Sequence, residues 1–399
     1  MKQSVVSIVK GSVRPSGEEI DASVRKAIDL AGGLNEIISR GDKVIIKPNL
    51  ISDQPPEAGT TTDPRVCKSI ADVLQEMGAK PIIAESSGLG IDTDKAYQVA
   101  GYNTLREQGY TVIDLKKEAT KTVPIPQGKS LKEAPLPRVV LEADAIISVP
   151  RMKTHEQTVV TLSLKNMKGL LPDHIKRKLH LQLGVFQGVI DLCTLVRPAF
   201  AVMDGIVGQE GLGPDGGDPV ELGLILAGRD LVAVDTVTAA VMGIDPEMDT
   251  MAKTAAEAGL GTRDMNEIEV AGKSISSVKR RFKRADEAVM ELVSIPEGFK
   301  LLFAEKACSG CRNAVMSVLL GLKKRNLLEK AVGLTVIAGL IDALPKVSKE
   351  SLLLIGNCTA KFKNLGYFVG GCPPNNRDVG GGILRKKPTD DLTFDWIFK

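Results

Sequence analysis

Four cysteines crowd the last 92 residues of the chain, as Cys308-Ser-Gly-Cys311, Gly356-Asn357-Cys358 and Gly370-Gly371-Cys372-Pro373-Pro374. Thiolates in sets of four suit iron–sulfur clusters and structural zinc. Zinc ribbons usually bring two tight Cys-x-x-Cys pairs, and the second pair is absent here. The pattern therefore predicts one iron–sulfur cluster, [4Fe–4S], held by Cys308, Cys311, Cys358 and Cys372, with structural zinc and unliganded buried cysteines as the competing readings. Each cysteine element follows an apolar run that reads as a strand, and the loops after successive parallel strands share the carboxyl edge of their sheet. Glycines beside the cysteines admit a close approach of backbone, and Pro373 and Pro374 stiffen the last loop. Cys308 and Cys311 precede a helix whose positive end favours thiolate. Cys67 and Cys193 stand alone in helical patterns and read as buried core residues.

The larger, earlier part of the chain carries polar clusters at predicted strand ends: Lys47-Pro48-Asn49 with Thr60-Thr61-Thr62-Asp63, Glu85-Ser86-Ser87-Gly88, Arg151-Met152-Lys153-Thr154-His155, Ser163-Leu164-Lys165-Asn166-Met167-Lys168-Gly169, and Met203-Asp204-Gly205. In a parallel sheet these ends converge. The mix of cations, hydroxyls and amides suits a phosphate- or carboxylate-bearing ligand. Lys47, Lys153, Lys165 and Lys168 would neutralise it. Thr61, Ser86, Ser87 and Asn166 would supply directional bonds, with Asn49 and Asp204 completing the set. Lys153 and His155 are the candidate catalytic pair, polarising or protonating the substrate. The competing reading makes these residues ordinary turn residues and solvated charges. All three histidines, His155, His174 and His180, fall within 26 residues, so with Asp173 they are candidates for a metal site or proton transfer.

The elements that must position these residues alternate. Strands are expected at Val5–Val9, Lys43–Lys47, Pro81–Glu85, Thr111–Leu115, Ala145–Val149, Phe200–Met203 and Gly223–Ala227. Helices are expected at Glu18–Ala31, Asp63–Met77 and Leu231–Val241; Asp63 followed by Pro64 supplies a cap and a first-turn proline. Alternation of this kind predicts an α/β fold: a mostly parallel, doubly wound sheet in a large N-terminal domain, residues 1–264. A joint over 265–299 carries the basic run Lys279–Arg284, read as a solvated helix face. A small flavodoxin-like α/β domain over 300–399 follows, with strands at Lys300–Ala304, Leu334–Ala338, Leu352–Ile355 and Tyr367–Val369 and a helix at Arg312–Lys324.

Composition narrows the function classes. A formal net charge of +3 and 4% aromatic content give no reason to expect a nucleic-acid partner. No run approaches the length of a membrane span, and the start of the chain lacks the features of a signal peptide. A cytoplasmic protein is expected, in which cysteines serve metal binding or catalysis rather than disulfides.

The polar clusters together resemble the domain of unknown function 362 family. The matching residues are Lys47-Pro48-Asn49, Glu85-Ser86-Ser87-Gly88, Ala143-Asp144 through Pro150, Lys153-Thr154-His155, Lys165-Asn166-Met167-Lys168-Gly169 and Glu210-Gly211-x-Gly213-Pro214, over about residues 3–245. The resemblance implies company with iron–sulfur modules, but no particular reaction. The chain lacks the Cys-x2-Cys-x2-Cys-x3-Cys run of members with a ferredoxin-type insert. Its C-terminal part is locally similar to the cluster domains of hydrogenase small subunits and quinone-reductase subunits, through Gly-Cys372-Pro373-Pro374 and the cysteine order. That similarity implies one [4Fe–4S] cluster at the edge of a flavodoxin-like sheet.

The expected function is that of a redox protein. Its cluster would exchange electrons with an anionic small molecule or organic cofactor in the large domain, and with an external ferredoxin or flavoprotein. The alternatives are a non-catalytic electron-carrier or cluster-delivery subunit of a larger complex, and a lyase or isomerase using the cluster as Lewis acid. Four available cysteines argue against the last.

Overall fold

The computed structural model describes residues 4–293, 296–304 and 309–385. In chain order its strands are β1 (Ser4–Lys10), β2 (Lys43–Pro48), β3 (Lys80–Glu85), β4 (Val112–Asp114), β5 (Thr120–Pro124), β6 (Glu133–Pro137), β7 (Ala145–Val149) and β8 (Arg151–His155). They continue with β9 (Val159–Thr161), β10 (Phe200–Glu210), β11 (Asp218–Gly228), β12 (Ile268–Gly272), β13 (Lys300–Phe303), β14 (Thr335–Ala338), β15 (Leu352–Ile355) and β16 (Tyr367–Val369). Ten of them build the large sheet in the order β12-β1-β11-β10-β7-β2-β3-β4, with β8 and β9 attached beside β10.

Both faces of this sheet are covered, as near-continuous apolar strands require. Val44 and Ile46 of β2 face one core, with the helices Gly17–Leu30 and Pro64–Glu76; Ile45 faces the other, with the helices Val185–Val196 and Leu231–Val241. The helix Pro64–Glu76 starts where its sequence says it should: the Asp63 carboxylate accepts the Arg65 N–H at 2.9 Å, and Pro64 fills the first position.

Two features of topology position a site. First, the chain leaves β2 for β3 and β4 on one side and returns to lay β7 on the other side. The order therefore reverses between β2 and β7, the point at which open α/β sheets bind ligands beyond their carboxyl ends. Second, Pro150 interrupts β7 without turning it away. Strand β10 pairs with β7 through Phe200↔Ile147 and then with β8 through Asp204↔Arg151 and Gln209↔Lys153. Strand β8 thus extends past the sheet edge and folds back as the hairpin β8–β9.

The stretch 265–299 divides between the two lobes. Strand β12 pairs in parallel with β1, and Phe282 packs in the large core, whereas Val289 and Val293 pack in the small one. In the small lobe β13-β14-β15-β16 form a parallel sheet in chain order, covered by the helices Ser309–Lys324 and Asn376–Leu384. Its class is the expected α/β; its order differs from that of a flavodoxin sheet, which lays its second and third strands on opposite sides of the first. Among the described residues no helix is long and apolar enough to cross a membrane.

The lobes meet at the tip of the β8–β9 hairpin. Gln157 Nε2 donates to Asn376 Oδ1 at 3.2 Å, Asn376 Nδ2 to Ser317 Oγ at 2.9 Å, and Ser317 Oγ to Glu156 Oε1 at 3.4 Å. Asn313 Nδ2 adds a bond to the His155 carbonyl at 3.4 Å.

Candidate functional site

Beyond the carboxyl ends of β2, β3 and β7 lies a cavity of about 520 Å³, lined by Asn49, Glu85, Ser86, Ser87, Lys153, His155, Lys165, Asn166 and Lys168 among others. Residues 119 apart in sequence come within bonding distance: Lys47 Nζ donates to Asn166 Oδ1 at 3.1 Å. Lys47 itself lies under the cavity, fully buried and paired with the Glu85 carboxylate. Asn166 Nδ2 returns bonds to the Lys47 carbonyl at 2.9 Å and to Ser148 Oγ at 3.1 Å, tying the ends of β2 and β7 together. Thr61 and Asp204 lie elsewhere. Thr61 Oγ1 donates to the Gln54 carbonyl at 3.3 Å, while the buried Asp204 pairs with Arg151 and accepts the Asp63 N–H at 2.8 Å. Asp204 therefore steadies the start of the helix Pro64–Glu76 rather than the cavity.

The serines of β3's end are committed to structure. Ser86 Oγ donates to the Gly169 carbonyl at 2.7 Å and Ser87 Oγ to the Ile91 carbonyl at 2.8 Å. Lys176 binds them from the helix Asp173–Lys178, donating to Ser86 Oγ at 2.7 Å and the Ser87 carbonyl at 2.8 Å. Sequence reasoning missed Lys176, Glu156, Thr161 and Asp215, all of which line the cavity. The signal that could have found Glu156 is its place beside His155 in the Lys153-Thr154-His155 run; nothing in the local pattern marks Lys176.

Gly169 is where the packing is tightest. A Cβ there would sit 2.3 Å from Glu85 Oε1 and 2.6 Å from Lys47 Nζ. Gly169→Ala should therefore push the buried ion pair apart and cost about 1–3 kcal/mol, read as a lower denaturation midpoint. A melting profile identical to wild type would show that the pair does not hold this geometry.

Cations dominate the cavity. Lys153 Nζ donates to the Thr60 carbonyl at 2.7 Å and the Pro214 carbonyl at 3.1 Å. Lys168 Nζ meets His180 Nε2 at 2.6 Å, and His180 Nδ1 meets Gln157 Oε1 at 2.6 Å. His155 Nδ1 accepts the Gln157 N–H at 2.9 Å and the Thr158 N–H at 3.3 Å, so its neutral ring carries the proton on Nε2. Burial, with repulsion from Lys165, holds His155 well below its usual range. Burial likewise brings Lys153 and Lys168 down to about 7 and Lys176 to about 8. It pushes the Glu156 carboxyl up to about 7. Several buried amines with few carboxylates form an environment that an anion would relieve.

These shifts set a pH response. The unfolded chain keeps protons on Lys153 and Lys168 up to their ordinary value of 10.5, whereas the folded chain releases them above about 7. Between those values the unfolded state binds more protons, so ligand-free stability should rise with pH, by at most about 1.4 kcal/mol per unit for each amine. Denaturant titrations from pH 7 to 9 check the sign; a flat or falling curve would contradict it.

In the small lobe Cys311, in the first turn of the helix Ser309–Lys324, and the loops carrying Cys358 and Cys372 lie together at the carboxyl edge. A Cβ on Gly356 would lie 2.6 Å from Cys311 Sγ, so that sulfur rests against the loop carrying Cys358. Asn357 N donates to the Gly371 carbonyl at 2.9 Å and Gly371 N to Asn357 Oδ1 at 2.8 Å, which joins the loop carrying Cys372. Gly371, at φ +135°, occupies a conformation that favours glycine. Cys308 lies outside the described residues. Among the described residues no three His, Cys, Asp or Glu side chains are grouped closely enough to hold a metal ion. Cys311, Cys358 and Cys372 thus share one edge of the sheet without forming a metal site by themselves.

Fold and site together define an α/β protein with a cationic, ligand-sized cavity at the switch point of its large sheet. Residues 44–240 match the family model described as "Domain of unknown function (DUF362)", in keeping with the resemblance carried by the strand-end motifs. The chain is 28% identical over 261 residues to "Thylakoid-associated protein sll1697" of Synechocystis sp., covering 64% of this chain and 79% of that protein. Among solved structures it is similar to the lactate racemase apoprotein from Thermoanaerobacterium thermosaccharolyticum, at 13% identity and a TM-score of 0.40, covering 84% of this chain and 69% of that one. A likeness at that score supports no conclusion about function.

Proposed function

We propose that the protein binds an anionic small molecule or organic cofactor in the cavity of the large lobe and exchanges electrons with it through a [4Fe–4S] cluster held by Cys308, Cys311, Cys358 and Cys372. The observation that carries the first half is the convergence of Lys153, Lys165, Lys168 and Lys176 on one cavity with few carboxylates to balance them. Lys153 and Lys168 would neutralise the ligand. Asn49 and Asn166 would orient it. The Asn49 Oδ1 and Thr161 Oγ1 atoms are buried and without partners among the described residues, so they await a hydroxyl or amide on the ligand. His155 presents a neutral imidazole for proton transfer.

The second half rests on the convergence of the cysteine loops. A cluster there supplies one-electron transfer. The hairpin tip joins cavity and cluster lobe: Glu156 lines the cavity, and Ser317, its partner, lies on the helix that carries Cys311. An external ferredoxin or flavoprotein would complete the electron path. The same reading places the protein in the cytoplasm, where thiols stay reduced and available to iron.

Titration of oxalate and inorganic phosphate into anaerobically purified protein tests the anion site. Binding should occur near pH 6.5 and weaken as pH rises above about 7, because an anion favours the protonated amines. Lys153→Ala should weaken it at least about tenfold, the loss of a buried charged contact. Equal affinity in the variant and the wild type would overturn the assignment of the cavity.

A further inference from the structure

Lys165 stands apart from the other amines of the cavity. Lys47 is held by Glu85, Lys153 by two carbonyls, Lys168 by His180, and Lys176 by Ser86, Ser87 and Asp173. Lys165 is buried at 5% exposure and lines the cavity, yet its ammonium has no hydrogen bond or ion pair with any described residue.

Its backbone is fixed. The Asp235 carboxylate accepts the Ser163 N–H at 2.8 Å and the Leu164 N–H at 3.0 Å, together with the Ser163 hydroxyl, so the short helix Ser163–Asn166 cannot drift. The charges acting on Lys165 come from three elements. Lys168 on the following turn and Lys153 on β8 repel a proton there, Glu156 in the hairpin attracts one, and burial outweighs that attraction. Burial and the neighbouring cations disfavour the protonated amine, and no carboxylate is in contact to restore it, which leaves its lone pair more available as a nucleophile.

We propose that Lys165 is a Schiff-base lysine, forming an imine with a small aldehyde or ketone that also carries a carboxylate or phosphate. This rests on the reading of the cavity as an anion site. Lys153 and Lys168 hold the anionic group and so bring the carbonyl carbon to Lys165. The Lys165 Nζ lone pair forms the new C–N bond as the carbonyl π pair moves onto oxygen, which takes the proton of the Glu156 carboxyl. Nitrogen then returns a proton to the Glu156 carboxylate. The hydroxyl leaves as water with that proton, and the nitrogen lone pair closes the C=N bond. The net change is amine, carbonyl and one proton to protonated imine and water, with nothing oxidised or reduced. Glu156, pushed up to about 7, can both give and receive that proton near neutrality.

Incubating the full-length, anaerobically purified protein with pyruvate or glyoxylate and sodium cyanoborohydride tests this. Peptide mass spectrometry should find the reduced adduct on Lys165 at least tenfold above any other lysine, suppressed by excess oxalate and absent in Lys165→Met. The wild-type map stands whether or not the variant folds. An adduct spread over surface lysines, or no adduct with either probe, overturns the imine. If oxalate still raises the melting temperature in that case, the anion site survives and only the imine falls. If it does not, both readings fall.

Discussion

Lys47→Ala should destabilise the protein by about 3–5 kcal/mol, because it strips a buried carboxylate of its partner. The Lys47 side chain is 0% exposed and that of Glu85 4%, so water cannot take the place of the lost ammonium. The ammonium also donates to the Pro48 carbonyl at 3.0 Å and to Asn166 Oδ1, so three acceptors at the ends of β2, β3 and the helix Ser163–Asn166 lose one donor together. The double variant Lys47→Met, Glu85→Leu removes both charges at similar volume and should recover most of the loss, since a buried pair is worth little against a well-packed apolar substitute. Denaturant midpoints of the single and double variants decide this. If the single variant costs less than about 1 kcal/mol, the pair is not the anchor of the cavity floor.

Cys372→Ser should remove the iron from the small lobe, while Cys67→Ser should leave it in place. Wild-type protein isolated without oxygen should carry about four irons and four sulfides per chain. Cys372 is exposed, on a loop that the bonds between Asn357 and Gly371 join to that of Cys358. Cys67 sits in the core of the large lobe with its sulfur 3.6 Å from the Tyr102 hydroxyl, and burial pushes its thiol far up. Iron and sulfide analysis with visible absorption reads both variants. Stoichiometric zinc without iron in the wild type, or full iron in Cys372→Ser, would refute the cluster assignment.

The strands were legible wherever an apolar run was both short and flanked by turn residues. Ala145–Val149, Leu352–Ile355 and Tyr367–Val369 form as the sequence predicts, residue for residue. The exceptions have physical causes. Strand β8 is built from Arg151-Met152-Lys153-Thr154-His155, which reads as a polar cluster at the end of the preceding strand rather than as a strand of its own; it forms because β10 pairs along one flank and β9 along the other. Strand β12 lies in the stretch that reads as a joint and becomes a strand only because β1 offers an open edge. The hairpin β5–β6, Thr120–Pro124 with Glu133–Pro137, carries prolines that hide its strand character.

The cavity was legible through topology. Lys153, His155, Lys165, Asn166 and Lys168 come together because parallel strands gather their carboxyl ends. Thr61 and Asp204 also follow strand-end logic, but their side chains turn to the scaffold. That choice depends on rotamers and on the Arg151 partner, which no one-dimensional pattern encodes. Lys176 enters from a helix with no link in sequence to the serines it binds.

The shared hairpin tip has a thermodynamic consequence. Glu156 and His155 wall the cavity, while the bonds Gln157–Asn376, Ser317–Glu156 and Asn313–His155 fasten the same turn to the cysteine lobe. Whatever free energy an anion gains from an ordered turn, the lobe gains as well, by an equal factor in the two association constants. Filling the cavity should therefore slow amide exchange in the helices Ser309–Lys324 and Asn376–Leu384, although no ligand atom reaches them.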